Sequence, residues 1–196
     1  MEEPIKERSR IESITEKIKV LEHELEVEFV KRRAGLSFGI ERGRVVFEKE
    51  ILRRHRELKI SILAYVAGAR PLILLTAPII YGLAVPLVLL DVCVSVYQAV
   101  CFPVYRIPKV KRSDYFHFDH AHLAYLNSLQ KFNCAYCSYA NGLLGYIREI
   151  GGRSEAYWCP IKHARRVIGA HEQYTEFVDY GDADAFKENR RRANED

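Results

Sequence analysis

Four residues in the C-terminal half have the types and spacing to hold a metal ion: Cys134, Cys137, Cys159 and His163. They read C-A-Y-C and, after an insert of twenty-one residues, C-P-I-K-H. Thiolate and imidazole bind soft and borderline ions, and two short ligand pairs can converge on one tetrahedral centre. A Cys3His set supplies four protein ligands and leaves no open position, which is the pattern of structural zinc. The same set can hold mononuclear iron or an iron–sulfur cluster. C-x2-C can also work as a redox dithiol, although that use normally accompanies a βαβ pattern, which is lacking here. Finally, cysteines can be inert, buried side chains. The N-terminus M-E-E-P-I-K-E-R-S-R is charged and has no apolar core, so no cleavable signal peptide is expected, and the thiols should stay reduced.

A second polar group precedes the first. Asp114, His117, Asp119, His120 and His122 lie in D-Y-F-H-F-D-H-A-H. They could bind a hard or borderline metal, with Asp119 orienting a histidine from behind. The plainer reading has Asp119 capping a helix, with the histidines on a membrane-facing surface. Tyr115, Tyr125, Tyr136, Tyr139, Tyr146, Tyr157 and Trp158 crowd the region, as suits a membrane interface, a shielded metal or a small core. Lys162, Arg165 and Arg166 could attract anionic headgroups. There is no Gly-rich phosphate loop and no G-x-S-x-G elbow, so catalytic residues and any reaction stay unassigned.

These residues need elements to place them. Cys134 and Cys137 share a face on a helix or tight turn. Pro160 suits a first helical position, so a short helix is expected over 160–170, with Cys159 as its cap and His163 one turn in. Gly142, Gly145, Gly151 and Gly152 would let the insert fold back. Residues 114–150 carry a helical leucine and isoleucine stripe in two pieces, ended by Gly151-Gly152.

Upstream, Leu72 to Leu90 are nineteen residues without a charge, roughly 30 Å of helix and the thickness of a bilayer core. The apolar trend runs on to Val104, and Asp91 is the single charged side chain in 71–104. Arg53, Arg54, Arg56 and Lys59 precede the stretch, and Arg106, Lys109, Lys111 and Arg112 follow it. Positive flanks on both sides place both ends in the cytosol. That favours a helical hairpin about Gly82, with Arg70 and Asp91 paired at one depth, over a single span with Asp91 at the interface.

Residues 4–32 form an amphipathic helix, with Ile11, Ile14, Ile18, Leu21 and Leu25 at 3-4-3-4 spacing. Packing on its own chain is favoured, with homo-oligomerisation through the same face as the alternative. Leu36, Phe38 and Ile40, then Val45 and Phe47, alternate around Gly43, which reads as a small β-hairpin. Residues 48–70 read as a helix grading from basic to apolar. The tail after Asp179 is polar and expected to be loose. The net charge of +4 gives no nucleic-acid footprint.

The expected chain is therefore mainly α. A charged helix and hairpin occupy 1–59, a membrane-embedded hairpin or single span 60–104, a small helical Cys3His module 105–178, and a polar tail 179–196. Further, the runs A-R-P-L-I-L-L-T-A-P-I-I-Y, L-L-D-V-C-V-S-V-Y-Q, L-A-Y-L-N, C-A-Y-C-S-Y-A-N-G and Y-W-C-P-I-K-H-A resemble an uncharacterised family of bacterial inner-membrane-associated proteins. The likeness covers about residues 55–182. It implies a bacterial inner-membrane setting and nothing catalytic. The expected role is a membrane-anchored, zinc-binding scaffold or accessory protein that contacts lipid and a membrane protein partner. The alternative is an iron or iron–sulfur redox protein passing electrons to such a partner.

Overall fold

The computed structural model describes residues 3–34, 38–41, 44–47 and 49–195, and they are mainly helical. They fall into two compact units, one of residues 1–59 with 122–125, the other of 60–121 with 126–196.

In the first unit, α1 spans Glu3–Ala34. Its apolar stripe from Ile14 through Ile18, Leu21 and Leu25 is exposed, so within its own unit this face is uncovered among the described residues. The Ile11 side chain lies outside the described residues. Strands β1 (Phe38–Glu41) and β2 (Arg44–Phe47) pair antiparallel, with Phe38 opposite Phe47 and Glu41 opposite Arg44. Leu36 and the Arg42–Gly43 connection, on which the hairpin reading leaned, lie outside the described residues. Helix α2 covers Lys49–Glu57 and closes the unit.

The single helix expected over 48–70 is interrupted. Ser61 starts a new helix, α3 (Ile62–Ala67), by accepting a bond from the Ala64 amide at 3.2 Å. This is the usual work of a serine at a helix start.

Pro71–Gly82 form α4 and Ala84–Val104 form α5. The hairpin about Gly82 is not what forms. Leu83 keeps helical dihedrals, φ −64° and ψ −15°, and Leu87 N–H bonds the Leu83 carbonyl at 3.2 Å. The chain therefore runs on rather than reversing. The local interruption has a simple cause: Pro86 has no N–H to offer the Gly82 carbonyl one turn back. Together, Pro71–Val104 are long and apolar enough to cross a membrane.

Helix α6 spans Ser128–Trp158 without a break. Its start is a full capping box: the Gln130 amide bonds Asn127 Oδ1 at 2.9 Å, and the Asn127 amide bonds Gln130 Oε1 at 3.0 Å. Asn127 also donates to the Ile60 carbonyl at 3.3 Å and is almost wholly buried. Asp119 does not cap a long helix, since Asp119–His122 is only a 3-10 turn. Gly151-Gly152 does not end α6 either.

Helices α5 and α6 run in the same direction. Tyr81 meets Asn133, Asp91 meets Tyr139, Gln98 meets Tyr146 and Tyr105 stacks on Tyr157, so partners advance together along both helices. Parallel neighbours need a return connection, and residues 105–121 supply it. This strap runs back over the pair, placing Val110 at Gln98, Arg112 at Asp91, and Ala121 at Lys131. The core sits between the three layers: Phe102 from α5, Val110 from the strap, and Leu143, Tyr146 and Ile150 from α6.

After Trp158 the expected helix over 160–170 is absent. Pro160 ends α6 and the chain extends. The Val178 amide bonds the Pro160 carbonyl at 2.9 Å, and the Lys162 amide bonds the Val178 carbonyl at 2.7 Å. Those bonds between the two segments hold the backbone extended. The tail is not loose: Ala183–Glu195 form α7, with the Ala185 amide bonding Asp182 Oδ1 at 3.0 Å as a cap.

Candidate functional site

The four expected metal ligands do not meet within this chain. Cys134 and Cys137 lie in the second turn and beyond of α6, whereas Cys159 is the residue that ends it. An unbroken helix between Cys137 and Cys159 separates them by about 33 Å at 1.5 Å per residue. One zinc ion holds its ligands at about 2.0–2.3 Å, so it cannot bridge that gap. The foldable insert is thus corrected to a rigid rod. Cys137 and Cys159 are exposed and Cys134 is half-buried. His163 stacks on the Tyr174 ring, with centroids 6.3 Å apart, and its amide bonds the Tyr174 hydroxyl. His117, His120 and His122 lie in or beside the strap, and no cluster of three metal-binding side chains occurs among the described residues.

The glycines have a different task from the one the sequence proposes. A Cβ at Gly142 would sit 2.6 Å from the Tyr115 carbonyl oxygen, and one at Gly145 would sit 3.1 Å from the Tyr115 ring. Bare backbone lets the strap lie close on α6. Gly152 does the same for the His171 ring, which bonds Glu155 at 2.9 Å.

The polar chemistry of this unit gathers where α5, α6 and the strap meet. Arg112 faces Asp91 with two parallel bonds of 2.5 Å each. Tyr139 from α6 adds a third bond to the same carboxylate at 2.9 Å, and Ser95 a fourth at 3.3 Å. The Arg112 guanidinium lies 4.1 Å above the Phe116 ring, a favourable place for a cation. Its bond to Asp91 raises the Arg112 pKa further above its ordinary range. Burial, and then the bond to Asp91, raises the Tyr139 phenol, which therefore stays a donor. Two helical turns on, Gln98 is bonded at both ends of its amide: its Nε2 donates to the Tyr146 hydroxyl, and its Oε1 accepts from the Val110 amide, each at 2.6 Å. The Arg70–Asp91 pair expected from the hairpin is thus replaced by Arg112–Asp91.

Around this seam, α4 and α5 are turned inside out. Their covered stripe carries the polar side chains Tyr81, Asp91, Ser95 and Gln98 at helical spacing. Their open side carries Leu75, Val85 and Val104, each more than 70% exposed, with Leu89, Val92, Val96 and Val100 in the same row. A helix at a water surface does the reverse. Sequence reasoning missed Arg112, Gln98 and Asn127 as key groups. The available signal for Gln98 was a lone amide in an apolar run, which needs a partner once buried.

Compared with protein-family models, curated proteins and solved structures, the chain matches none of them.

Proposed function

We propose that this protein is a membrane-anchored scaffold or accessory factor. The unit that begins at Ile60 holds the chain at lipid, and α1 offers its exposed apolar stripe to a partner protein. The observation that carries the reading is the inverted polarity of α4 and α5, which pair their polar side chains inward and present branched apolar ones outward. Apolar surface of that extent is stable only when something other than water covers it. The basic residues on both sides of the apolar helix support cytosolic flanks, and the resemblance described above supports a bacterial inner membrane as the setting. A metal is not carried into this reading, because the distance between the two ligand pairs does not suit one ion.

The test is fractionation of cells expressing the full chain. The protein should stay in the membrane pellet after a high-salt wash and enter the supernatant only with detergent. Release by salt alone, with a single soluble species, would overturn the anchor.

A further inference from the structure

We infer that the apolar helix does not cross the bilayer but lies along one face of it, embedded in a single leaflet with α6 and the strap on the water side. This rests on the membrane attachment proposed above and specifies its geometry.

The argument is one of depth. A spanning helix carries everything bonded to it into the hydrocarbon at the same level. Arg112 is bonded to Asp91, and the Arg112 neighbours Lys111, Ser113 and Asp114 are exposed. If α5 crossed the membrane around Asp91, these groups and an irregular backbone would stand open to lipid. Irregular backbone is tolerated at such depth only inside protein or beside a water-filled cavity. Moving the crossing toward α4 does not help. Tyr81 bonds Asn133 at 2.5 Å, and the nearby Lys131 ammonium bonds the Ala121 carbonyl at 2.7 Å. Asp119, His120 and Ala121 are exposed beside that lysine. A crossing around Tyr81 would bury Lys131 and the exposed Asp119–Ala121 turn instead. Ahead of the Tyr81 contact remain only residues 71–80, about 15 Å of helix. The hydrocarbon core is about 30 Å thick.

The in-plane arrangement removes each conflict. The open row of Leu75, Val85, Val92, Val96 and Val104 is immersed together, at one depth, as an interfacial helix is. Asp91, Gln98 and Tyr81 face α6, and the strap stays in water. Arg70 at the start of the helix and Arg106 and Lys109 beyond its end lie where anionic headgroups would meet them. The open apolar face is thereby committed to a lipid surface rather than to a second copy of the chain.

The test is depth measurement on the full chain in vesicles of phosphatidylcholine and phosphatidylglycerol. Nitroxide labels are placed singly at Leu75, Val85, Val96, Val104 and Ser113, and their relative exposure to oxygen and to a water-soluble nickel complex is read. The expected result is one shallow depth shared by the four helix positions, with Ser113 in water. A profile deepest at Val85 and shallow at Leu75 and Val104 would restore a crossing helix and overturn the in-plane geometry, with the anchor intact. Water exposure at all four would overturn the anchor itself. Dipolar broadening between copies at these sites, without oxygen enrichment, would assign the face to self-association and overturn the proposal. Oriented circular dichroism of the unmodified chain gives the same decision without substitutions. Because α5 and α6 run side by side, both should report axes in the membrane plane, and axes along the membrane normal would overturn it.

Discussion

Arg112 grips Asp91 through two parallel bonds of 2.5 Å, and so fastens the return strap to the middle of the apolar helix. The pair is part open, since Arg112 is 45% exposed and Asp91 13%. Its worth therefore lies between that of a surface pair and that of a buried one. Arg112→Met should cost about 1–2 kcal/mol in chemical denaturation, mostly by leaving the carboxylate without its cation. Adding Asp91→Asn should recover part of that loss, and strictly additive costs would show that the two side chains do not act together.

Asn127 ties the start of α6 to Ile60. Asn127→Ala should lower stability by about 1–2 kcal/mol, the cost of a lost cap at a buried site. Asn127→Asp keeps the bond from the Gln130 amide but loses the donor to the Ile60 carbonyl, and should fall between the two. Equal melting temperatures for all three proteins would remove this role.

Glycines on α6 should split by what lies over them. Gly142→Ala pushes a Cβ to 2.6 Å from the Tyr115 carbonyl, so backbone must move, and a loss of about 1–3 kcal/mol is expected. Gly151 has nothing within 4 Å of its added Cβ. There alanine should stabilise by up to about 1 kcal/mol through helix propensity alone. Denaturation midpoints of the two variants check the sign of each.

Cys134→Ser and Cys159→Ser should each shift stability by less than about 1 kcal/mol, as expected for sites that are at least partly open. Metal analysis of anaerobically purified protein is the companion measurement. One tightly held zinc per chain, lost with unfolding in either variant, would require α6 to break and bring the two ligand pairs together.

On α1, Leu21 and Leu25 should be dispensable for the fold of the lipid-facing unit. Replacing both with Gln should leave membrane fractionation unchanged while abolishing crosslinks formed in cells by a photoreactive residue at Ile18. Persistent crosslinks would show that this stripe is not the contact surface.

Much of the helical framework is legible in the residues. The 3-4 spacing from Ile14 to Leu25 marks α1, and the uncharged run from Leu72 marks the apolar helix. Two errors have clear physical causes. In the sequence Gly142, Gly145 and Gly152 suggest an insert able to fold back. In the fold they are flat places for Tyr115 and His171, and packing outweighs a propensity cost of about 1 kcal/mol each. Symmetry about Gly82 matches Asp91 to Arg70. The true partner follows from the strap's path, which no local pattern encodes. Convergence of C-x2-C with C-x3-H depends likewise on what the intervening residues do, and spacing alone does not record that they form a rod.

The parallel course of α5 and α6 also fixes an order of events during synthesis. An antiparallel neighbour could begin to cover α5 within a turn or two of its completion. Here the chain must grow from Val104 to Trp158 before the far end of α5 meets Tyr157. At ribosomal rates that interval is roughly 3–11 s. Val110 and Arg112 follow Val104 within eight residues, but the α6 partners of Asp91 and Gln98, Tyr139 and Tyr146, come only 35 and 42 residues after it, when the apolar row is already complete. The nascent chain thus displays its greasiest segment before it owns the cover for the polar side, and capture by whatever delivers chains to a membrane can precede folding rather than follow it.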